Sequence, residues 1–263
     1  MATLRKVSAR EREVLDVLKV RRKLEISEIA ERFSVSESTA RRICASLDRQ
    51  GKVIRGVGGI HSLPEAILTG EYEYDRLVEE SAPEKDRIGH YASSLVQDED
   101  VIFISGGTTV AQFSRHLALR FQHGELKRVV ITTNSIVSAE ILSPATKVLL
   151  IGGDYRPHRR DVAGSLSERI ISGARFNKCF LGVDAIDVDV GLMVFDIETG
   201  NLDELASARS EAQYILADSN KFRDKSFITY SPITMSHTII TDDRIDPEVV
   251  EKGREKGIHI QPV

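Results

Sequence analysis

Cysteine is scarce in this sequence: 263 residues contain only Cys44 and Cys179. The two form no C-x-x-C pair, and no histidine is spaced to share a metal with either of them. This scarcity excludes a disulfide framework and gives no support to a metal site. We expect both thiols to be small buried residues, and we expect the protein to need no metal and no cofactor.

Long hydrophobic runs are also missing. The longest apolar stretches, such as KVLLIGG at 147–153, have the length of a strand and fall far short of a membrane span. The first residues, MATLRKVSARERE, lack the apolar stretch of a signal peptide. The hydrophobic content of 41% is still enough for a buried core. We therefore expect a soluble globular protein of the cytoplasm that has no membrane partner.

The net charge of −4 conceals an uneven distribution of charge along the chain. Residues 1–61 hold 14 Lys and Arg against 8 Asp and Glu, a balance of +6, so the remainder holds 22 against 32, a balance of −10. A basic block on an acidic chain indicates a module that binds a polyanion, attached to a domain with a different task. A solvated helical face is the alternative explanation, and charge alone does not exclude it.

The basic block begins with a helical pattern. Ser8 and Glu11 have the spacing of a capping box, and the apolar residues that follow them fall on one helical face. The pattern predicts a helix over 8–20, with its apolar face directed towards a core.

Two further helical patterns follow, separated by a very short turn. The first is a short helix with Ser27 as its predicted cap, and a tight turn at 34–35 ends it. The second is a longer helix capped by Ser36, and it stops at Gly51 in the usual position for a terminating glycine. Two helices joined by so short a turn form a helix-turn-helix.

The second helix of such a pair enters the major groove of DNA with its N-terminal residues against base edges. Its hydroxyl and guanidinium groups suit phosphate oxygens and guanine edges. The segment GKVIRGVGGIHS then has a short β pattern among glycines, which predicts a wing that touches the sugar-phosphate backbone. For the paired arginines an ordinary exposed helix face stays open as the alternative. The candidate DNA-binding residues are Ser36, Glu37, Ser38, Thr39, Arg41, Arg42 and Arg55.

The stretch ISEIAERFSVSESTARRICASLDRQGKVIRGVGGI closely resembles the winged helix-turn-helix of the DeoR family of bacterial transcriptional regulators. The resemblance lies in its V-S-x-x-T-x-R-R segment and its G-G ending, and it implies binding to double-stranded operator DNA. Just past the paired arginines the family usually has an Asp, whereas this chain has Ile43.

Strands and helices alternate in the rest of the chain, after a linker over 62–82 that mixes Pro, Gly and acidic residues. The strand-like segments each end in small, polar or acidic residues: DVIFIS, RVVITTNS, KVLLIGGDYR, KCFLGVDAID, QYILADSNK and TIITDD. Repeated β then α predicts a doubly wound, mostly parallel sheet. The expected fold is α/β, with a winged helix-turn-helix domain over 1–61 and a doubly wound α/β domain over 83–263.

Ligands of such sheets bind outside the carboxyl ends of the strands. The sequence GGTT at 106–109 joins a strand to a helix N-terminus, where free N–H groups and the helix dipole favour an anion. TNS at 133–135 follows the next strand, and GG at 152–153 follows the third, with Arg156 close behind. Each loop alone is more easily explained as a turn or a cap, but three together favour a shared ligand site. The G-x-G-x-x-G and G-x-x-x-x-G-K-[ST] patterns of nucleotide sites are absent.

The resemblance to the DeoR family extends over the second domain through EKDRIGHYASSLV, GGTT, TTNS, LLIGGDYR, FLGVDAID, GLMVFD, ILADSNKF and IITDDRIDPEVV. That sensor domain is itself similar to the fold of ribose-5-phosphate isomerase and glucosamine-6-phosphate deaminase. In the family it binds a phosphorylated sugar or sugar-like metabolite, with the phosphate in the G-T-T loop. The implied effector-binding residues are Lys85, Gly106, Gly107, Thr108, Thr109, Thr133, Asn134, Ser135, Gly152, Gly153, Arg156, Asp184 and Lys221.

An enzyme of the isomerase type is the alternative to a sensor. Aldose-ketose isomerisation needs a base and an acid or cation, and VDAID offers Asp184 and Asp187 without the complete acidic set of the isomerases. In the helix after GLMVFD these regulators commonly carry a Glu and, four residues later, a Lys, whereas this chain has Thr199 and Asp203. We therefore expect no catalytic residues, while a sugar-phosphate isomerase with an appended DNA-binding domain stays open.

The function expected from the resemblance is that of a repressor of a sugar or polyol catabolic operon, released from DNA by a phosphorylated sugar or polyol. An Asp at 203, where a cation is usual, predicts an effector whose far end is neutral or positively charged. A single recognition helix covers only a few base pairs, so we expect a homo-oligomer, either a dimer or a tetramer.

Overall fold

The chain divides into two compact units, residues 1–72 and 73–263. The domain boundaries expected at 61 and 83 stay a prediction. Among the described residues no helix combines the length and the apolar composition that crossing a bilayer requires. The computed structural model describes residues 9–21, 23–49, 53–56, 58–62, 74–224 and 226–263.

The described part of the first unit contains three helices and a three-stranded antiparallel sheet in the order β1-β3-β2. One apolar core joins them, in which Val14, Leu24, Ile29 and Leu47 are almost fully buried. This is the predicted arrangement of a helix-turn-helix with a wing. The elements are α1 (Ala9–Arg21), β1 (Lys23–Glu25), α2 (Ile26–Arg32), α3 (Glu37–Arg49), β2 (Val53–Gly56) and β3 (Gly59–Ser62).

The ends of these helices match the sequence prediction only in part. The predicted cap of α2, Ser27, is wrong, because the helix follows β1 directly and the Ile26 N–H donates to the Gly58 carbonyl at 2.9 Å. The predicted cap of α3 is confirmed, since Ser36 Oγ accepts a hydrogen bond from the Thr39 N–H. The outer limits predicted at Ser8 and Gly51 lie outside the described residues.

The second unit is built on a seven-stranded sheet in the order β15-β14-β12-β9-β4-β5-β6, and every pairing in it is parallel. The doubly wound, mostly parallel sheet predicted from the sequence is therefore confirmed. Its strands are β4 (Val101–Ile104), β5 (Val130–Thr133), β6 (Val148–Leu150), β9 (Phe176–Gly182), β12 (Ser210–Leu216), β14 (His237–Thr241) and β15 (His259–Pro262).

Two apolar cores cover the two faces of this sheet. Along β4, Ile102 and Ile104 enter one core and Phe103 enters the other, as alternating side chains must. Phe113 stacks on Phe180 in the first core, with ring centroids 4.2 Å apart. The helices of the unit are α4 (Tyr74–Leu77), α5 (Ala82–Ser94), α6 (Thr108–Gln122), α7 (Ile136–Leu142), α8 (Ser165–Ser172), α9 (Ile197–Ala208) and α10 (Pro247–Glu255), with a 3-10 helix at Ser219–Phe222.

Two small antiparallel sheets were not predicted. KVLLIGGDYR does not form one strand, because the chain leaves β6 and the residues after 153 begin a hairpin of β7 (Asp154–Arg156) and β8 (Asp161–Ala163). KCFLGVDAID likewise divides between β9 and β10 (Ala185–Asp187), which pairs with β11 (Gly191–Val194). Strand β13 (Ile228–Ser231) completes this second sheet. Both small sheets follow strands of the main sheet and so add structure at its carboxyl edge.

Close packing of α5 against α6 gives a prediction for Gly89. A Cβ added there would lie 2.5 Å from Phe113 N and 2.6 Å from Gln112 C, both backbone atoms of α6. We expect Gly89→Ala to lower the free energy of unfolding by about 1–3 kcal/mol, because one helix must shift away from the other. Chemical denaturation of the full chain, followed by circular dichroism, measures this change.

Gly173→Ala is the matched control, since a Cβ there would meet nothing nearer than 3.7 Å and the residue has an ordinary φ of −89°. We expect this change to alter stability by less than about 0.5 kcal/mol. A Gly89→Ala protein as stable as the control would contradict this prediction, because it would show that the added methyl group fits between the two helices.

Candidate functional site

The loop at 106–109 connects β4 to α6 at the carboxyl edge of the main sheet. Gly107 is the residue before the helix, its φ is +123°, and no side chain caps the helix there. Ser105 fixes the loop to β9, because its N–H donates to the Phe180 carbonyl and its Oγ accepts from the Gly182 N–H at 3.1 Å. Because it is a glycine, Gly107 offers no side-chain acceptor to the first-turn N–H groups of this 15-residue helix.

The sequence predicts that the helix after the glycines begins at Val110, but α6 begins two residues earlier, at Thr108. Thr108 and Thr109 consequently lie in its first turn, and both are buried. The positive end of the helix dipole is thus surrounded by two threonines and two glycines. This is the arrangement of an anion site that uses backbone N–H groups.

The hydroxyl groups of the next loop, at 133–135, form hydrogen bonds within the protein. Thr133 Oγ1 donates to the Ile104 carbonyl at 2.7 Å and accepts from the Ser135 N–H at 3.0 Å. Ser135 Oγ caps α7 by accepting from the Ser138 N–H. These two hydroxyls stabilise the end of β5 and the start of α7. The explanation of this loop as a turn and a cap, which the sequence left open, therefore accounts for both of them. Their part in effector binding stays a prediction.

Asn134, between them, is only 4% exposed. Its Nδ2 donates to the Val162 carbonyl at 3.0 Å, which leaves its Oδ1 buried with no hydrogen-bond partner in the described part of the chain. An acceptor buried without a donor costs free energy. A hydroxyl group supplied by a ligand would satisfy this oxygen.

The glycines at 152–153 allow close packing between the end of β6 and α8. Ser167 Oγ donates to the Gly152 carbonyl at 2.8 Å. A Cβ on Gly153 would lie 2.2 Å from Ser167 Oγ and 2.5 Å from the Ala163 carbonyl oxygen. This contact explains the second glycine without a ligand, so an effector role for the pair also stays a prediction.

Arg156 lies on β7 and is engaged by two carboxylates. Its Nε and Nη2 donate to the two oxygens of Asp161, each at 2.8 Å, and its Nη1 donates to Asp196 Oδ1 at 2.7 Å. Nη2 also donates to Thr199 Oγ1 at 3.0 Å. Four of the five guanidinium N–H groups thus have protein acceptors. One Nη1 N–H is left without a hydrogen bond among the described residues, with Glu198 Oε2 3.7 Å from Nη1, so an effector can contact Arg156 through that group or by replacing one of these partners.

The two carboxylates were missed by the sequence analysis. Asp161 is 2% exposed, and its Oδ2 lies 3.0 Å from the position of a Cβ on Gly106, so it packs directly against the 106–109 loop. Asp196 caps α9 by accepting from the Thr199 N–H at 2.9 Å. The available signal was the placement of charged residues just after strand ends, in RPHRRD and FDIET.

Asp203 lies on α9 and is only 2% exposed. Burial raises the pKa of its carboxyl well above the ordinary value of an aspartate, although Arg159 lowers it in part. Burial therefore disfavours the charged form of Asp203. This weakens the argument that its charge repels an anionic group, and the neutral or positively charged far end expected of the effector stays a prediction.

Two lysines lie near the carboxyl ends of β12 and β14. Lys85, on α5, is 3% exposed, and its Nζ donates to the Leu77 carbonyl at 2.8 Å. Burial lowers the pKa of Lys85, the carboxylates of Asp218, Glu80 and Glu84 raise it, and Lys221 lowers it. Lys85 thus lies among three carboxylates, with Lys221 near enough to act on it. Asp184, between β9 and β10, instead accepts from the Phe195 N–H and braces the small sheet.

The candidate DNA-binding residues begin α3. Ser36, Glu37, Ser38, Arg41 and Arg42 are exposed, and Thr39 is half-buried against the Ser36 hydroxyl. Arg41 Nη2 donates to Glu37 Oε2 at 3.0 Å. Arg55 lies on β2, and its side chain is outside the described part of the structure.

Ile43, where the family usually has an Asp, is half-buried and packs on the apolar core of the first unit. The departure therefore changes the packing of the core-facing side of α3. It does not alter the exposed set of side chains at the start of the helix.

Comparison with known proteins identifies both units. The family model "DeoR-like helix-turn-helix domain" matches residues 10–66, and the model "DeoR C terminal sensor domain" matches residues 80–243. Ribose 5-phosphate isomerase from Plasmodium falciparum matches 52% of each chain at 19% identity with a TM-score of 0.40. Nothing about the function of this chain follows from so partial a likeness.

Curated relatives match over most of their length. HTH-type transcriptional regulator IolR of Bacillus subtilis (strain 168) is 28% identical over 239 residues, which are 89% of this chain and 92% of that protein. The lactose phosphotransferase system repressor of Lactococcus lactis subsp. lactis is 30% identical over 243 residues, or 91% and 92%. Both are regulators of transcription rather than enzymes. This chain belongs to the DeoR family and is a DNA-binding transcriptional regulator.

Proposed function

We propose that this regulator represses a sugar or polyol catabolic operon and that a phosphorylated sugar or polyol releases it from operator DNA. The observation that carries the proposal is the uncapped N-terminus of α6 at Gly107, beside the unpaired buried acceptor of Asn134. One feature suits a phosphate and the other suits a hydroxyl. A relative that is a lactose phosphotransferase system repressor supports a sugar-related operon as the target.

The phosphate group of the effector binds at the 106–109 loop. Backbone N–H groups of the first turn of α6 and the helix dipole favour an anion there, and the hydroxyls of Thr108 and Thr109 add donors. The buried ammonium of Lys85 supplies a positive charge on the neighbouring helix. The hydroxyl groups of the effector then extend towards Asn134.

The effector carries one anionic group and an uncharged body. The charge of Arg156 is already balanced, because Arg156 and Arg159 share the carboxylates of Asp161 and Asp196, so this guanidinium offers little to a second phosphate or a carboxylate. A hexose or polyol monophosphate fits this balance, whereas a bisphosphate or an aldonic acid phosphate does not.

In this scheme residues 1–61 bind DNA, residues 83–263 bind the effector, and 62–82 connect the two. Each recognition helix reads only a few base pairs, so a dimer or tetramer binds a palindromic or repeated operator. The effector acts by changing the spacing or freedom of paired recognition helices, which is a coupling between two distinct sites. The regulator works in the cytoplasm, where phosphorylated sugars and the operator meet.

A ligand screen tests the effector site. We expect hexose or polyol monophosphates to raise the melting temperature of the full chain, since a ligand that binds only the folded state stabilises it. Thr108→Val should weaken binding by roughly tenfold or more, because a hydrogen bond to a charged group contributes about 1.5–3 kcal/mol. Thr146→Val, the same change at a half-buried position outside the site, should bind normally.

The screen also tests the charge of the effector body. Tighter binding of bisphosphates or aldonic acid phosphates than of monophosphates would contradict the argument from Arg156. If no phosphorylated compound raised the melting temperature, the proposed effector class itself would be excluded.

DNA binding is tested separately, on an operator selected by the wild-type protein from random sequences. We expect Arg42→Ala to weaken operator binding by roughly tenfold, in line with about 1–3 kcal/mol for a lost base contact. Arg254→Ala removes the same charge from an exposed position on α10 and should leave affinity unchanged. Equal loss in both variants would show that only net charge matters. The thermal response of Arg42→Ala to the effector should stay that of the wild type.

The raised pKa of Asp203 predicts a pH dependence of stability. The folded chain binds a proton at Asp203 more tightly than the unfolded chain, whose aspartates have a pKa of about 3.9. The free energy of unfolding therefore falls as pH rises from that value through the raised pKa. Asp203→Asn imitates the protonated form, so its melting temperature should exceed that of the wild type by more at about pH 8 than at about pH 5.

Asp243→Asn changes an exposed aspartate and should keep the pH dependence of the wild type. An Asp203→Asn protein with that same pH dependence would mean that Asp203 is ionised in the folded chain.

A further inference from the structure

Residues 74–81, here called the strap, form the first described segment of the second unit. It consists of the short helix α4 and the turn that leads to Ser81, just before α5 begins. In sequence it follows the DNA-binding unit and precedes the first candidate effector residue, Lys85. Its contacts within the second unit join two separate parts of the candidate site.

One end of the strap is fixed to the β7–β8 hairpin. The Tyr74 N–H donates to the His158 carbonyl at 2.9 Å. The Arg160 guanidinium lies over the Tyr74 ring, 5.7 Å from its centroid, and Arg160 Nη1 is 3.9 Å from Asp75 Oδ1. Tyr74 is almost fully buried. This end is therefore held by the turn of the hairpin whose strands carry Arg156 and Asp161.

The other end of the strap is fixed near the two lysines. The Leu77 carbonyl accepts from Lys85 Nζ at 2.8 Å, and Ser81 Oγ accepts from Asn220 Nδ2 at 3.1 Å. Asn220 belongs to the 3-10 helix that also contains Lys221. The strap thus connects the hairpin side of the site with its lysine side.

The ammonium of Lys85 is incompletely paired. It has three N–H groups, and within the described residues only its hydrogen bond to the Leu77 carbonyl is seen. A buried ammonium is stable only when it is paired and hydrogen-bonded. Three nearby carboxylates, of which Asp218 has the largest effect, favour its charged form, whereas burial and Lys221 oppose it. Lys85 can therefore accept a further anionic partner without giving up the strap carbonyl.

We propose that Lys85 donates to the effector phosphate and to the Leu77 carbonyl at the same time, so that effector binding orders the strap. The proposal rests on the proposed function, because it needs an anion at the 106–109 loop. Effector occupancy is thereby passed on as a loss of freedom in the strap, which follows the DNA-binding unit in sequence, and such an ordering is a recognised form of coupling.

Hydrogen exchange of the full chain, with inorganic phosphate as the probe and chloride at equal ionic strength as the control, tests this step. The informative peptides cover 74–81 and 106–112. At phosphate concentrations about ten times the dissociation constant, exchange in both peptides should slow by up to about tenfold. Slower exchange at 106–112 with no change at 74–81 would overturn the strap and leave the effector site intact. No change in either peptide would overturn both.

Variants at Lys85 test whether this residue connects the bound phosphate to the strap. Lys85→Met is studied at phosphate concentrations about ten times its own dissociation constant. In this variant we expect phosphate to slow hydrogen exchange in the peptide 106–112 but not in the peptide 74–81. Lys85→Arg keeps a cation with several donors and should restore protection of 74–81. Protection of both peptides in Lys85→Met would show that the strap is ordered through another contact and would overturn the proposal.

Discussion

The hydrogen bonds from Arg156 to Asp161 and Asp196 connect the elements that surround the candidate effector site. Asp161 packs against the loop before α6, Asp196 caps α9, and Arg156 lies on the β7–β8 hairpin between them. The guanidinium side chain is only 16% exposed, so removing one partner would leave a poorly solvated charge. The hairpin, the anion loop and the start of α9 are therefore positioned together, and displacement of one affects the other two.

This interaction also sets the electrical character of the pocket. Arg156 and Arg159 are both paired with Asp161 and Asp196, whereas the start of α6 and Lys85 are positive features that are not paired in this way. Both lie on helices that begin at the same edge of the sheet. In the proposed function, the helix dipole and this charge would recognise one end of the ligand, and single hydrogen bonds would recognise its body.

The parallel sheet could be predicted from the sequence because its central strands are largely buried and the six segments expected to be strands each end in small, polar or acidic residues. The edge strands β6 and β15 are more exposed, and β15 was not among those six segments. The β7–β8 hairpin could not, because its two strands have only three residues each and their pattern resembles a loop. The cap of α2 was misplaced for a related reason: a tertiary contact, the Gly58 carbonyl, replaced the local signal of Ser27.

The candidate site was predictable in outline and less so in its chemistry. Residue types at strand ends identified the loop at 106–109, yet whether a side chain faces a ligand or the protein depends on packing. Thr133, Ser135 and Arg156 have protein partners, and the charge of Asp203 depends on its burial. Neither property can be deduced from residue identity and spacing alone.

The uncapped start of α6 has a thermodynamic consequence. A serine or aspartate at the cap position of a helix adds only about a few tenths of a kcal/mol over glycine, so Gly107 gives up little stability. Helices α7, α9 and α10, in contrast, begin with a side chain that accepts a hydrogen bond from a backbone N–H. An anion bound at Gly107 would supply the acceptor that this helix start lacks, and its binding would therefore stabilise the helix.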